Sequence, residues 1–128
     1  MYTCASCKKH SCETGNLEDA PKNCPSREAG ELEKIKELYQ DPEIANLAYH
    51  SALVEAEGYC KKTRLEEIID FAGKCEFRRL GVAFCIGLCK EAEIFCSILR
   101  NHGFEVSSVV CKNGSIAKEF LGIEYFQK

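Results

Sequence analysis

The stretch that decides the fold is residues 80–112, LGVAFCIGLCKEAEIFCSILRNHGFEVSSVVCK. It opens with a short apolar run that ends at a glycine, which is typical of a buried strand in a parallel sheet. Residues 88–103 then space their apolar side chains as an amphipathic helix does, and Gly103 is suited to end that helix. A second strand-like run covers residues 104–112. This order predicts a βαβ unit with two parallel strands.

Three helices are predicted ahead of this unit. Ser26 is a candidate N-cap for a helix over about residues 27–40. Asp41-Pro42 is suited to begin a second helix, because proline fits the first helical position, and Gly58 is suited to end it. Residues 63–66, TRLE, match a capping box at the start of a third helix, which we expect over about residues 64–77.

The predicted fold class is therefore α/β, in one domain of 128 residues. Residues 1–25 form a Cys-rich metal-binding loop, residues 26–79 a helical segment, and residues 80–128 a Rossmann-like βαβ unit packed with the helices. Two strands make an incomplete parallel sheet. We therefore expect either a homodimer through the open sheet edge, or a chain that is a fragment of a longer α/β protein.

Charge and hydropathy exclude some classes of partner. The formal net charge is -3, with acidic and basic residues interspersed, so the chain lacks the basic surplus of a nucleic-acid-binding surface. No apolar run approaches the roughly 20 residues of a membrane span. The first ten residues, MYTCASCKKH, lack the apolar segment of a secretory signal. We therefore predict a cytoplasmic protein with neither nucleic-acid nor membrane partners.

The chain carries ten cysteines, which in a reducing compartment indicates metal or redox chemistry. Four of them, Cys4, Cys7, Cys12 and Cys24, have the spacing C-x2-C-x4-C-x11-C in a segment with little apolar periodicity. A metal would supply the order that this segment cannot gain by burying apolar surface. Four sulfur ligands select zinc or an iron–sulfur cluster, and His10 is an alternative to one of the cysteines.

The spacing leaves the identity of the metal open. Zinc ribbons usually contain a second C-x2-C pair, which is absent, whereas Cys24-Pro25 matches the last ligand of many bacterial cluster motifs. Two further alternatives are a disulfide-linked segment and four free thiols in a flexible tail.

A second candidate site lies in the βαβ unit. Cys85 and Cys111 fall at the carboxyl ends of the two predicted strands, where open α/β sheets bind their ligands, and Cys89 is four residues after Cys85. These residues could form a redox pair, a catalytic site or half of a second metal site; the alternative is two buried cysteines under helices. Cys75 and Cys96 are predicted to be core residues.

Three segments carry a resemblance to a known family: the N-terminal cysteines with Asn23-Cys24-Pro25, the AFCIGL…KEA segment and the SVVCK…GSI segment. Together they resemble a bacterial domain-of-unknown-function family of cysteine-rich metal-binding proteins. The resemblance spans nearly the whole chain and implies metal binding in the bacterial cytosol, with no assigned activity. Members of that family are longer and continue with further cysteine-bearing α/β segments, which implies that this chain is truncated.

The leading hypothesis is thus a cytosolic metal-binding protein of unknown activity, with zinc or an iron–sulfur cluster at the N-terminal cysteines. The rival hypothesis is a redox protein or enzyme that works at Cys85 and Cys111. A third is a metal-stapled interaction module that pairs through its open sheet edge. The sequence leaves open whether the protein is an enzyme.

Overall fold

A computed structural model gives the fold, and it describes residues 1–124. The last four residues of the unit predicted at 80–128 lie outside the described residues. The chain forms two compact units, one over Met1–Tyr49 and one from His50 onward. The prediction of a single packed domain stays a prediction, whereas the mixture of helices with a two-stranded parallel sheet confirms the α/β class.

The first unit consists of short turns and one longer helix. Single 3-10 turns cover Cys4–Ser6 and Pro25–Arg27, a short helix α1 covers Ser11–Thr14, and α2 covers Ala29–Leu38. The prediction that Ser26 caps α2 is wrong: Pro25 starts a 3-10 turn that includes Ser26, and α2 begins only after Glu28. The apolar side chains of α2 are exposed in the structure: Leu32, Ile35 and Leu38.

Helix α3, Pro42–Gly58, begins where the Asp-Pro pair predicts. The Asp41 carboxylate accepts hydrogen bonds from the backbone N–H groups of Glu43, at 2.9 Å, and Ile44, at 3.2 Å. These bonds satisfy two of the N–H groups that the first helical turn leaves without a partner, which is how an aspartate caps a helix.

Helix α4, Arg64–Lys74, opens with the predicted capping box. The Thr63 hydroxyl accepts the N–H of Glu66 at 3.3 Å, and the Glu66 carboxylate accepts the N–H of Thr63 at 2.7 Å. The Lys62 ammonium also pairs with Asp70 at 2.7 Å, which ties the loop before α4 to the middle of the helix. Local side-chain chemistry thus fixes where this helix starts.

The second unit contains the predicted βαβ arrangement. Strand β1 is Arg79–Phe84, helix α5 is Cys89–Asn101, and strand β2 is Glu105–Val110. The strands are parallel and in register from Arg79 opposite Glu105 to Phe84 opposite Val110. Gly103 follows α5 with a φ of 88°, a left-handed conformation that glycine adopts without steric cost. A 3-10 turn, Ile86–Leu88, joins β1 to α5.

One part of the core of this unit lies between α5 and one face of the sheet, and Val54, Ala72 and Cys75 are buried as well. Helix α5 contacts both strands and buries Ala92, Cys96 and Leu99. Burial alternates along β1, so its second face is exposed, and the prediction of a fully buried strand is wrong. A helix covers only one side of this sheet in the described residues, and an uncovered side of a parallel sheet exposes every second side chain. None of the helices described for residues 1–124 is long and apolar enough to span a bilayer.

Candidate metal centre and strand-end thiols

The N-terminal C-x2-C pair is shaped by a 3-10 turn. Cys4 is the first residue of the turn and Cys7 follows it, and the backbone N–H of Cys7 donates to the carbonyl of Cys4 at 3.0 Å. A 3-10 helix has three residues per turn, so side chains three apart lie on the same side. The turn therefore brings the two thiols to one side of the backbone.

A third predicted cysteine lies beside this pair. Cys4, Cys7 and Cys24 line one small cavity of about 20 Å³, together with Thr3, Pro21, Asn23 and Pro25. The Asn23 side-chain amide donates to the Met1 carbonyl and to the Thr3 hydroxyl, each at 3.1 Å. These two bonds hold the segment that carries Cys24 against the segment that carries Cys4. Asn23 is thus a positioning residue. It belongs to the Asn23-Cys24-Pro25 motif, but the sequence alone indicates no role for it.

The backbone after Cys7 favours its thiolate form. Backbone N–H groups of His10 and Lys9 hydrogen-bond to the Cys7 sulfur and hold the pKa of this thiol below its usual range. His10 has a φ of 48°, in the left-handed region, which lets the chain curl back over the sulfur. Successive N–H groups in such a turn form a concave site for anions, a feature of many iron–sulfur and phosphate sites.

The remaining two predicted ligands lie elsewhere. Cys12 is on α1 and is exposed, and neither Cys12 nor His10 is among the residues that line the cavity. Among residues 1–124, no group of three or more His, Cys, Asp or Glu side chains stands at metal-binding positions. The structure thus gathers Cys4, Cys7 and Cys24 around one cavity without placing their sulfurs at coordination geometry, and it leaves Cys12 outside.

Cys85 and Cys111 lie at adjacent strand ends, as predicted. Both are exposed, and both line an open pocket of about 310 Å³ with Ala83, Phe84, Val109 and Val110. Cys89 is the first residue of α5, is also exposed, and is not among the residues that line this pocket. The structure therefore places two of the three cysteines of this candidate site, Cys85 and Cys111, around one pocket.

Two other cysteines belong to the core, as predicted. Cys75 and Cys96 are buried, with relative exposures of 8% and 4%. Burial raises the pKa of the Cys75 thiol, because the surroundings disfavour a thiolate. A buried thiol with a raised pKa is a poor nucleophile and a poor metal ligand, so we assign Cys75 to packing.

A third pocket, which no sequence pattern predicts, lies between α3 and α4. It has a volume of about 290 Å³ and is lined by Ser51, Val54, Glu55, Arg64, Glu67, Ile68 and Phe71. Arg64 and Glu67 pair at 2.7 Å on its wall. Ion pairs three residues apart are common on helices, so the sequence pattern predicts only a solvated helix face here.

Comparison with known proteins identifies relatives without an assigned activity. The family described as "Protein of unknown function (DUF1847)" matches residues 24–128. An uncharacterised protein of Methanocaldococcus jannaschii is 42% identical over 125 residues, which cover 98% of this chain and 60% of that protein. The chain thus spans about 60% of the length of this curated relative. No solved structure is significantly similar.

Proposed function

This chain belongs to the family described as protein of unknown function DUF1847, and we propose that it is a cytosolic metal-binding protein whose N-terminal cysteines hold one metal centre. The cavity lined by Cys4, Cys7 and Cys24 is the observation that carries the proposal. Thiolates are soft ligands that bind zinc and iron–sulfur centres in preference to hard cations.

The ligand set we propose is Cys4, Cys7 and Cys24 with a fourth donor from the segment between them. Cys12 and His10 both lie in this segment, five and three residues after Cys7, and are the candidates for that donor. The N–H groups of Lys9 and His10 already face the Cys7 sulfur, which is the arrangement that stabilises a thiolate ligand. A metal that closes this segment would also order it.

Zinc is the metal we propose. Four-coordinate zinc with sulfur ligands is the usual structural site for a short segment of this kind. An iron–sulfur cluster on the same cysteines is the alternative, and the identity of the bound metal decides between the two.

The proposal also covers the cellular compartment and the fold of the protein. The chain carries ten cysteines, and a reducing cytoplasm would keep them available as metal ligands. We further propose that β1, α5 and β2 form a Rossmann-like βαβ unit. The relative from Methanocaldococcus jannaschii is archaeal, so it does not support the bacterial setting implied by the resemblance.

The test is metal analysis of the full chain purified without oxygen. We expect about one equivalent of zinc per chain, lost in the Cys7→Ser and Cys24→Ser variants and kept in Cys60→Ser, a matched change at an exposed cysteine outside the site. Cys12→Ser and His10→Ala identify the fourth donor, since only the ligand's variant lowers the affinity. Less than one equivalent of any metal in the unmodified chain, or equal loss in Cys60→Ser, would contradict the proposal.

The sheet edges favour a second candidate function, an interaction module. In the described residues each of the two strands is hydrogen-bonded to only one neighbour. Unpaired strand edges present N–H and C=O groups that can pair with another chain. A homodimer that persists after metal removal, measured by sedimentation velocity, would support this function, and a monomer under both conditions would refute it.

A further inference from the structure

The backbone places Cys85 and Cys111 opposite each other. The register pairs Phe84 with Val110, and the next backbone bond runs from the N–H of Cys111 to the carbonyl of Phe84 at 2.8 Å. Cys85 continues the strand in an extended conformation, with φ of -76° and ψ of 142°. Adjacent strands are about 4.8 Å apart, so the two Cα atoms fall within the ~4.4–6.8 Å range of disulfide-linked cysteines.

Both thiols also lie on the same, open face of the sheet. Along β1, Phe84 is half-buried on the α5 side while Ala83 is exposed, and Val109 of β2 is exposed too. Side chains alternate between faces, so Cys85 and Cys111 follow Ala83 and Val109 to the uncovered side. All four residues line the same pocket, which is open to solvent and has no charged residue on its described walls.

We propose that Cys85 and Cys111 form a dithiol centre that exchanges electrons with disulfides, independently of the N-terminal metal site. One thiolate attacks a sulfur of an incoming disulfide and forms a mixed disulfide, releasing the first thiol. The second thiolate attacks the protein-side sulfur, forms the Cys85–Cys111 bond and releases the second thiol. Two electrons pass to the incoming disulfide, and the two protons lost by the cysteines end on the two released thiols.

The exposure of both cysteines favours a reversible link. Cys85 and Cys111 are exposed and line an open pocket, so a disulfide between them stays accessible to reducing thiols. Exposed disulfides are reduced more readily than buried ones, which is typical of catalytic or regulatory pairs rather than structural ones.

Limited oxidation followed by trypsin digestion tests the pairing. Trypsin yields residues 80–90, which contain Cys85 and Cys89, and residues 101–112, which contain Cys111. On treatment of the folded full chain with oxidised glutathione, we expect a disulfide between these peptides that dithiothreitol reverses. It should persist in the Cys89→Ser and Cys7→Ser variants and disappear in Cys85→Ser. Persistence in Cys7→Ser also separates this centre from the metal site.

Binding of phenylarsine oxide supplies a measurement without substitutions. This reagent loses its oxygen as water when it bonds two neighbouring thiols, so it should protect Cys85 and Cys111 together from alkylation in the folded chain. Fragment spectra of residues 80–90 assign the protection to Cys85 or Cys89. A link or protection through Cys89, a link that forms only after unfolding, or independent alkylation of the two thiols would overturn the proposal.

Discussion

Replacing Leu99 by alanine should be the most damaging single truncation in helix α5. Leu99 is 1% exposed and is the largest fully buried side chain in the described residues. The change removes three carbon atoms, which at about 0.8 kcal/mol each lowers the free energy of unfolding by roughly 2.4 kcal/mol before any cavity forms. A residual cavity adds about 24 cal/mol for each Å³ that the neighbours fail to fill.

The residues around Leu99 should close part of the cavity that Leu99→Ala leaves. The loss of unfolding free energy should therefore fall near the lower end of the range for leucine-to-alanine changes in a core. Helix α5 packs against a sheet of only two strands, and a core this small leaves its residues room to move inward. We therefore expect a loss of about 3 kcal/mol, a large share of the ~5–15 kcal/mol that stabilises a typical domain.

The assay is urea unfolding of the reduced full chain, followed by far-UV circular dichroism. Ile94→Ala is the matched control, because Ile94 lies on the same helix and is 62% exposed. It should change the unfolding free energy by no more than about 0.5 kcal/mol. A loss below about 1 kcal/mol for Leu99→Ala, or equal losses for the two variants, would refute the assignment of the core to this face of α5.

Three further outcomes are expected. Thr63→Ala should lower the unfolding free energy by about 1 kcal/mol, since it removes one half of the capping box; Thr63→Ser should restore most of the loss, and an unchanged midpoint for the alanine variant would contradict the role. The Glu66 pKa is held below its ordinary 4.5 by the backbone and hydroxyl of Thr63, so this carboxylate stabilises the fold above its unfolded pKa and loses that effect as pH falls through the folded pKa. Urea midpoints should accordingly drop in acid less steeply for Glu66→Gln than for the unmodified chain, and parallel curves would exclude the linkage. Chelation of the proposed N-terminal metal should expose residues 1–25 to protease while the amide protection of β1 and β2 persists; simultaneous loss of both would show that the metal stabilises the whole chain.

The parts of the fold that the sequence predicts are those with a local physical cause. The capping box needs only residues 63–66, and Pro42 with Asp41 needs only one turn of helix. The βαβ order follows from a change of apolar period within residues 80–112 and from a glycine at the end of the helix. Each of these signals is complete within a short continuous stretch of sequence, so tertiary packing had little room to override it.

The parts that the sequence did not predict depend on what covers a surface. Helix α2 leaves apolar side chains in solvent, with Ile35 49% exposed, because a helical period marks an apolar face without indicating what packs against it. The run LGVAF was expected to be buried on both sides, whereas the structure covers one side of β1 only. Ser26 failed as a cap because Pro25, one residue earlier, started a tighter turn.

The two thiol sites differ in how well the sequence predicts their geometry. Strand register is fixed by backbone hydrogen bonds, so placing Cys85 and Cys111 at two strand ends also placed them side by side. The four N-terminal cysteines lie in or beside short helical turns and not in paired strands. There, a 3-10 turn joins Cys4 to Cys7, and Asn23 brings Cys24 near them through two side-chain bonds, but no backbone pairing draws Cys12 to the same point. A metal ion is the interaction that would complete this set. Hence the N-terminal centre is expected to form only on metal binding, whereas the strand-end pair is formed by the fold itself.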